Sequence, residues 1–393
     1  MTDRADGSGE AVTVKVLQSL DEVSAGDWDA CAGPDNPFVS HAFLKVLEDS
    51  GAACADSGWQ PQHIVIDDAD GLAGAAPCYL KSHSYGEYVF DWGWADAYER
   101  AGGRYYPKLQ VSVPFSPVTG PRLLVRDRAN GPATRRLLAA GLLELAKQRE
   151  VSSLHVTFTP EDEWNELGEI GLIQRQGQQF HWSNRAYETF DDFLATLNSR
   201  KRKMIRKERE AANAEVDIEV LTGDDIRPEH MRAFYRFYLN TVDRKWAHAY
   251  LNYEFFELLR ERLADRIVLV MASHDGDFVA GALNLRGTDT LYGRNWGCTE
   301  RFRMLYFECC FYRGIEFAIE HGLSKVEAGA QGPHKISRGY LPSATYSAHW
   351  IRDAGFRDAV ADFVRRERMG IEHEMESLGE LSPFKRSNET PGQ

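Results

Sequence analysis

The chain has 393 residues, more than a single hydrophobic core usually organises, so two domains are expected. Its 43% hydrophobic and 27% charged residues mark an ordinary globular composition, and no apolar run approaches the ~20 residues a membrane span needs. A formal charge of −13 argues against wholesale wrapping of nucleic acid while leaving room for a local basic site.

Residues 1–10 are polar and acidic, unlike a signal peptide, and read as a disordered tail. From Ala11 to Leu17 the valines 12, 14 and 16 alternate onto one face of a strand. Asn36-Pro37 marks a turn before a helix over residues 40–50. Residues 62–67 and 72–81 are strands joined by Asp70-Gly71. Residues 84–121 form an aromatic, glycine-rich insertion, either an ordered packed loop or the wall of a cleft. Its candidate contacts are Asp91, Trp92, Trp94, Tyr105, Tyr106 and Lys108. A helix over 133–149 carries Leu137, Leu138, Leu142, Leu145 and Ala146 on one stripe. A strand (153–159), a short helix (161–170) and a strand (178–187) follow.

The second half begins with Asp191 or Asp192 as the expected cap of a helix through the basic run 199–209. Two helices over 228–265 carry Phe234, Phe237, Trp246, Phe255 and Leu259. Strands at 267–273 and 278–286 flank Asp275-Gly276, and a third runs over 291–297. A helix from about Met304, a strand ending in the glycine-rich run 329–332, and a polar exit loop complete this half. The charged tail 365–393 reads as peripheral. Six cysteines lack CxxC spacing, and no Cys and His pair has zinc-like spacing. Reduced thiols, no metal and a cytoplasmic location are therefore expected.

The halves repeat one order: strands around an Asp-Gly turn, a long amphipathic helix, a short strand. This predicts an α+β fold of two tandem β-β-β-α-β units, over 11–187 and 188–364, the order of GNAT-type acyltransferases.

Chemistry-bearing residues collect in the second unit. Glu308 falls inside the apolar stripe of its helix, where a carboxylate is either a structural ion-pair partner, with Arg294 for example, or an acid or base facing the cleft. Alternation places Tyr292, Arg294 and Trp296 on one strand face. Arg294 can grip a phosphate or carboxylate, or pair with Glu308 or Glu327. Glu327, Gln331, His334, Lys335 and Arg338 follow on the next strand and loop, with His334 a general-base candidate and Lys335 a stabiliser of negative charge. The run containing Arg202, Lys203 and Arg206 is either a solvated face or a dock for donor phosphates.

The runs FECCFYRGIEFAIEHG, GAQGPHKISRGYLP and TYSAHW, with NPFVSHAFLKVLEDSG and SRKRKMIRKERE, resemble the FemAB-like family of predicted N-acyltransferases over roughly residues 30–370. The resemblance implies two GNAT-type domains and transfer of an acyl or aminoacyl group to a primary amine. Acyl-CoA or aminoacyl-tRNA would serve as co-substrate, with no tightly bound cofactor. The chain departs from the family pattern at Tyr306, where the family has a His, and at Pro333, where it has an acidic residue. Neither position then supplies an indispensable base. The glycine-rich pyrophosphate loop of acetyl-CoA-dependent GNAT enzymes is replaced by CTERFR. The competing reading is a non-catalytic module that recognises a cell-wall precursor or RNA.

Overall fold

Two Asp-Gly turns lay out the fold. At Asp275-Gly276 both residues have positive φ (50° and 87°), and at Asp70-Gly71 the glycine does (107°). Such backbone twist matches that of the antiparallel strands it joins.

The computed structural model describes residues 13–126, 131–244, 248–329 and 332–385; the expected tail 1–10, Val12, Trp246, Gln331 and residues 386–393 lie outside them. The first half runs β1 (Thr13–Leu17), α1 (Ala25–Ala32), α2 (His41–Asp49), β2 (Trp59–Pro61), β3 (His63–Asp68), β4 (Gly71–Ala76) and β5 (Cys78–Lys81). It continues with α3 (Trp92–Arg100), β6 (Lys108–Val111), β7 (Leu124–Val125), α4 (Gly131–Gln148), β8 (Ser153–Thr159), α5 (Glu161–Glu169) and β9 (Ile173–Ser183). The second half runs α6 (Phe190–Thr196), α7 (Ser199–Ala212), β10 (Asp217–Thr222), α8 (Pro228–Arg244), α9 (Tyr253–Leu263), β11 (Ile267–His274), β12 (Asp277–Arg286) and β13 (Thr290–Cys298). Then come α10 (Leu305–Phe307), a π-turn (Glu308–Tyr312), α11 (Arg313–Glu320), β14 (Lys325–Glu327), β15 (Leu341–Ile351) and α12 (Ala354–Glu380).

Local chemistry explains most boundaries. Ser40 caps α2, and Asn252 caps α9. The expected cap by Asp191 or Asp192 is replaced by two separate helices. Thr189 forms a capping box with Asp192 to start α6, and Asn198 starts α7. Pro77, lacking an N–H, separates β4 from β5, so the strand passes from one sheet into the next. Leu137, expected in the α4 stripe, is 42% exposed, whereas Leu138, Leu142, Leu145 and Ala146 are buried. Residues 365–380, expected as a peripheral tail, continue α12, whose Val360 and Val364 are buried and whose Glu367 pairs with Arg175 on β9. No described helix is long and apolar enough to cross a membrane.

A four-stranded sheet has the order β1-β3-β4-β7, and an eleven-stranded sheet the order β10-β11-β12-β13-β14-β9-β15-β8-β6-β5-β2. The halves meet by exchanging strands. β9, from the first half, lies against β14 of the second, and β15, from the second, lies against β8 of the first. Both halves repeat the same α+β unit. One core cluster joins α1, α2, α8 and α9, with Phe38, Phe43, Phe237, Phe255 and Tyr292 buried in it. A separate cluster packs α6, α7 and α11 against β9 and β14.

Candidate active site

β13 and β14 run parallel only from Thr290↔Lys325 to Tyr292↔Glu327 and then separate. Where they part, β13 carries a bulge. Asn284 faces Gly293 and Leu283 faces Asn295, leaving Arg294 as the extra residue. A Cβ on Gly293 would stand 3.1 Å from the Glu327 carbonyl oxygen, so the close approach at this point favours glycine. The bulge also reverses sidedness. Tyr292 meets Phe38 edge-on at 5.4 Å, in the cluster with α8, whereas Trp296 meets Tyr306 at 5.6 Å, beside α10. The expected common face for Tyr292, Arg294 and Trp296 therefore does not form, because uninterrupted alternation does not survive a bulge.

The far side of the gap is the exit loop. Lys335 is buried, and its Nζ donates to the carbonyl oxygens of Ala328 (2.6 Å) and Gly329 (2.8 Å) at the end of β14. Burial pushes its pKa down to about 8. The exposed His334 sits beside the rings of Phe307 (5.8 Å), Phe311 (5.9 Å) and Tyr306 (6.0 Å). Desolvation, with the charges of Arg338 and Lys335, lowers its pKa and favours the neutral ring. Arg338 is committed elsewhere. It forks onto Glu208 (2.8 and 2.9 Å) and stacks 3.4 Å over Phe307. Glu327 accepts from Thr119 Oγ1 (2.5 Å) and Lys325 (2.7 Å). Burial raises its pKa, but His181 and Lys325 outweigh that and hold it below the usual carboxylate range.

Glu308 is fully buried at the start of the π-turn and pairs with Arg209 (3.1 Å) and Arg313 (2.9 Å). Arg209 also holds Glu316 at 2.9 Å. Neither Arg294 nor the gap is its partner, since the carboxylate clips α7 to the π-turn. Burial raises the thiol pKa values of Cys309 and the half-buried Cys310, which disfavours the thiolate form.

A groove of about 340 Å³ opens between α7 and the entry to α10. Arg200, Lys203 and Lys207 line it from α7, and Arg303 lines it from the loop after β13. None of these four side chains has an ion-pair or hydrogen-bond partner among the described residues. Of the three donor-phosphate candidates only Lys203 is in the groove; Arg206 pairs with the exposed Asp191 at 3.0 Å, and Arg202 does not line it. Arg303 was detectable only as a cation in CTERFR, the segment standing where a phosphate loop would be.

The first half has the equivalent gap, and its own chain fills it. β6 and β8 pair only from Leu109↔Leu154 to Val111↔Val156. Beyond them the fully buried Arg122 donates to the carbonyls of Thr157 (2.9 Å), Val118 (2.6 Å) and Gly120 (2.9 Å). The segment leading to Arg122 crosses to the second half. Phe115 O accepts from Arg294 Nη1 (2.6 Å), and Thr119 Oγ1 donates to Glu327 (2.5 Å). The insertion 84–121 thus walls the gap of the other unit. Trp94, proposed as a substrate contact, is instead buried against His349 (5.0 Å), and Trp92 meets Tyr85 (4.9 Å). Lys108 fixes the insertion by donating to Glu87 (2.7 Å), Ser84 (2.7 Å) and Asp91. Burial pushes Glu87 up to about 7 and the neighbouring Lys81 down to about 6.

Three solved structures share this architecture. FemX aligns with TM-score 0.56 and 12% identity, covering 86% of this chain and 98% of its own. The C-terminal domain of a putative lysylphosphatidylglycerol synthetase from Agrobacterium fabrum gives 0.56 and 10%, covering 88% and 96%. L-PGS from Bacillus licheniformis gives 0.50 and 10%, covering 85% and 98%. No curated protein matches by sequence. The FemAB-like family profile, described as peptidoglycan biosynthesis or recognition, matches residues 19–386, and the chain belongs to that family.

Proposed function

We propose that the protein is an N-acyltransferase acting at the gap between β13 and β14. The observation that carries this reading is the pairing of a splayed, bulged strand with a four-cation groove beside the loop that follows it. The groove takes the phosphates of the donor carrier, CoA or tRNA, and the activated acyl group reaches into the gap. An acceptor amine attacks the acyl carbonyl. The C–N bond forms, the carbonyl's bond to the carrier's sulfur or oxygen breaks, and the amine proton ends on the released thiol or hydroxyl. Arg294, the extra residue of the bulge, offers its amide to stabilise the oxyanion. His334, neutral and next to the gap, receives the amine proton, and Lys335 holds the end of β14 in place. Glu308 has a supporting role through α7. The family's connection with peptidoglycan favours a cell-wall precursor amine as the acceptor.

The test is incubation of purified protein with labelled acyl-CoA or aminoacyl-tRNA and a set of amines that includes cell-wall peptides. Amide product from one donor class is expected, with His334→Ala lowering turnover at least tenfold without changing the melting temperature. Ligand binding with no consumption of any donor would assign the protein to recognition instead.

A further inference from the structure

Arg294 is half-buried, and its guanidinium has an empty edge. Its Nη1 donates to Phe115 O, but Nε and Nη2 are buried and have no hydrogen-bond partner among the described residues. Those two atoms form the side of a guanidinium that takes a carboxylate through two parallel hydrogen bonds. No carboxylate of the described residues pairs with it. The charged or titratable neighbours that act on it are the hydroxyls of Tyr88 and Tyr238. Tyr238 already accepts from the backbone N–H groups of Tyr250 (3.0 Å) and Leu251 (3.3 Å). Burial lowers the Arg294 pKa from its ordinary value, the mark of a charge held away from water without compensation.

The wall around it is held under backbone strain. Tyr88 and Phe115 both have left-handed φ, 62° and 58°, a region costly for aromatic residues. Phe115 is stacked on Tyr250 at 5.2 Å. Tyr88 is 37% exposed, and its hydroxyl and the Arg294 guanidinium are near enough to act on each other. Arg294 also lies on the α8 side of the bulge, whereas the cationic groove opens on the side of α7 and α10.

We infer that Arg294 is the receptor for a single carboxylate on the acceptor, which makes the amine substrate an amino acid or a peptide with a free carboxylate near the reacting nitrogen. This rests on the acyl-transfer reading for the word acceptor; the carboxylate site itself stands on geometry. One guanidinium edge with no second cation acting on it among the described residues suits a monoanion better than a phosphate dianion. Donor and acceptor then approach the gap from opposite faces of the sheet, the acceptor displacing Tyr88.

The experiment is calorimetric binding of the common L-amino acids and their dipeptides, each as free carboxylate and as C-terminal amide, to wild type, Arg294→Met and Arg294→Lys. At least one carboxylate should bind wild type, with its amide at least tenfold weaker. Arg294→Met should abolish that preference, and Arg294→Lys, which keeps charge but not the fork, should fall between. Arg294→Met should also melt at or above the wild-type temperature, because it removes an uncompensated, half-buried charge. A panel with no binder overturns the inference, as does equal binding of acid and amide, or a melting temperature lowered by Arg294→Met with the preference intact. Carboxylate binding without acyl transfer would sink the proposed function and leave this site standing.

Discussion

Glu308 is a buried carboxylate and Arg294 a half-buried cation, with opposite consequences. Glu308 is held by Arg209 at 3.1 Å and Arg313 at 2.9 Å, so removing its charge leaves the two arginines with Glu316 as their remaining shared partner. Breaking a fully buried pair from one side costs ~3–5 kcal/mol, and part-exposed arginines that keep Glu316 reduce that to roughly 1–3 kcal/mol here. Glu308→Gln should therefore lower stability by roughly that amount in urea unfolding, while leaving the affinity of any carboxylate ligand unchanged. A stability loss below the measurement error would mean that the cluster is solvated and that the carboxylate is free for chemistry. The burial of Glu308 was legible in the sequence because its position falls inside an apolar helical stripe. Its partners were not, since Arg209 lies on a different helix and nothing in local spacing joins them. Trp296 shows the reverse case: alternation gave a definite face, and one extra residue in the strand moved it to the other.

At the scale of elements, α7 shows what a charge run can and cannot say. The sequence presents its basic residues as one block, but the helix turns them to different environments. Arg200, Lys203 and Lys207 line the groove with Arg303, Arg206 is engaged by Asp191, and Arg209 is spent on Glu308 and Glu316. The i, i+3 and i+7 spacing of the groove residues follows from helical geometry. Arg303 joins them only through folding. Reversing Arg200, Lys203 and Lys207 to Glu should weaken binding of the carrier, CoA or tRNA, at least tenfold. Reversing Arg202 and Arg206 should do much less. With tRNA as the probe, each lost phosphate contact should reduce the slope of log affinity against log salt by about one. Equal effects of the two substitution sets, read by fluorescence titration at several salt concentrations, would make α7 a diffuse field instead of a site.

At the scale of the molecule, the duplication was visible in repeated order, yet the way its copies join was not. The residues of β9 do not say which strand they will meet, because strand pairing is decided by tertiary context. In the structure β9 lies between β14 and β15, and β15 lies between β9 and β8. A cut between residues 187 and 188 would leave β8 without β15 and β14 without β9, exposing unpaired strand edges in both pieces. The wall of the second gap would also leave with the first piece, since Phe115 and Thr119 reach across to Arg294 and Glu327. The two units expected at 11–187 and 188–364 should then fold as one cooperative body. Urea unfolding followed by tryptophan fluorescence and by far-ultraviolet dichroism should give one coincident transition. Residues 1–187 and 188–393 produced separately should lack that transition and regain it when refolded together. Two resolved transitions in the intact chain, or a native-like half on its own, would show that the exchanged strands contribute little to stability and that each unit carries a sufficient core.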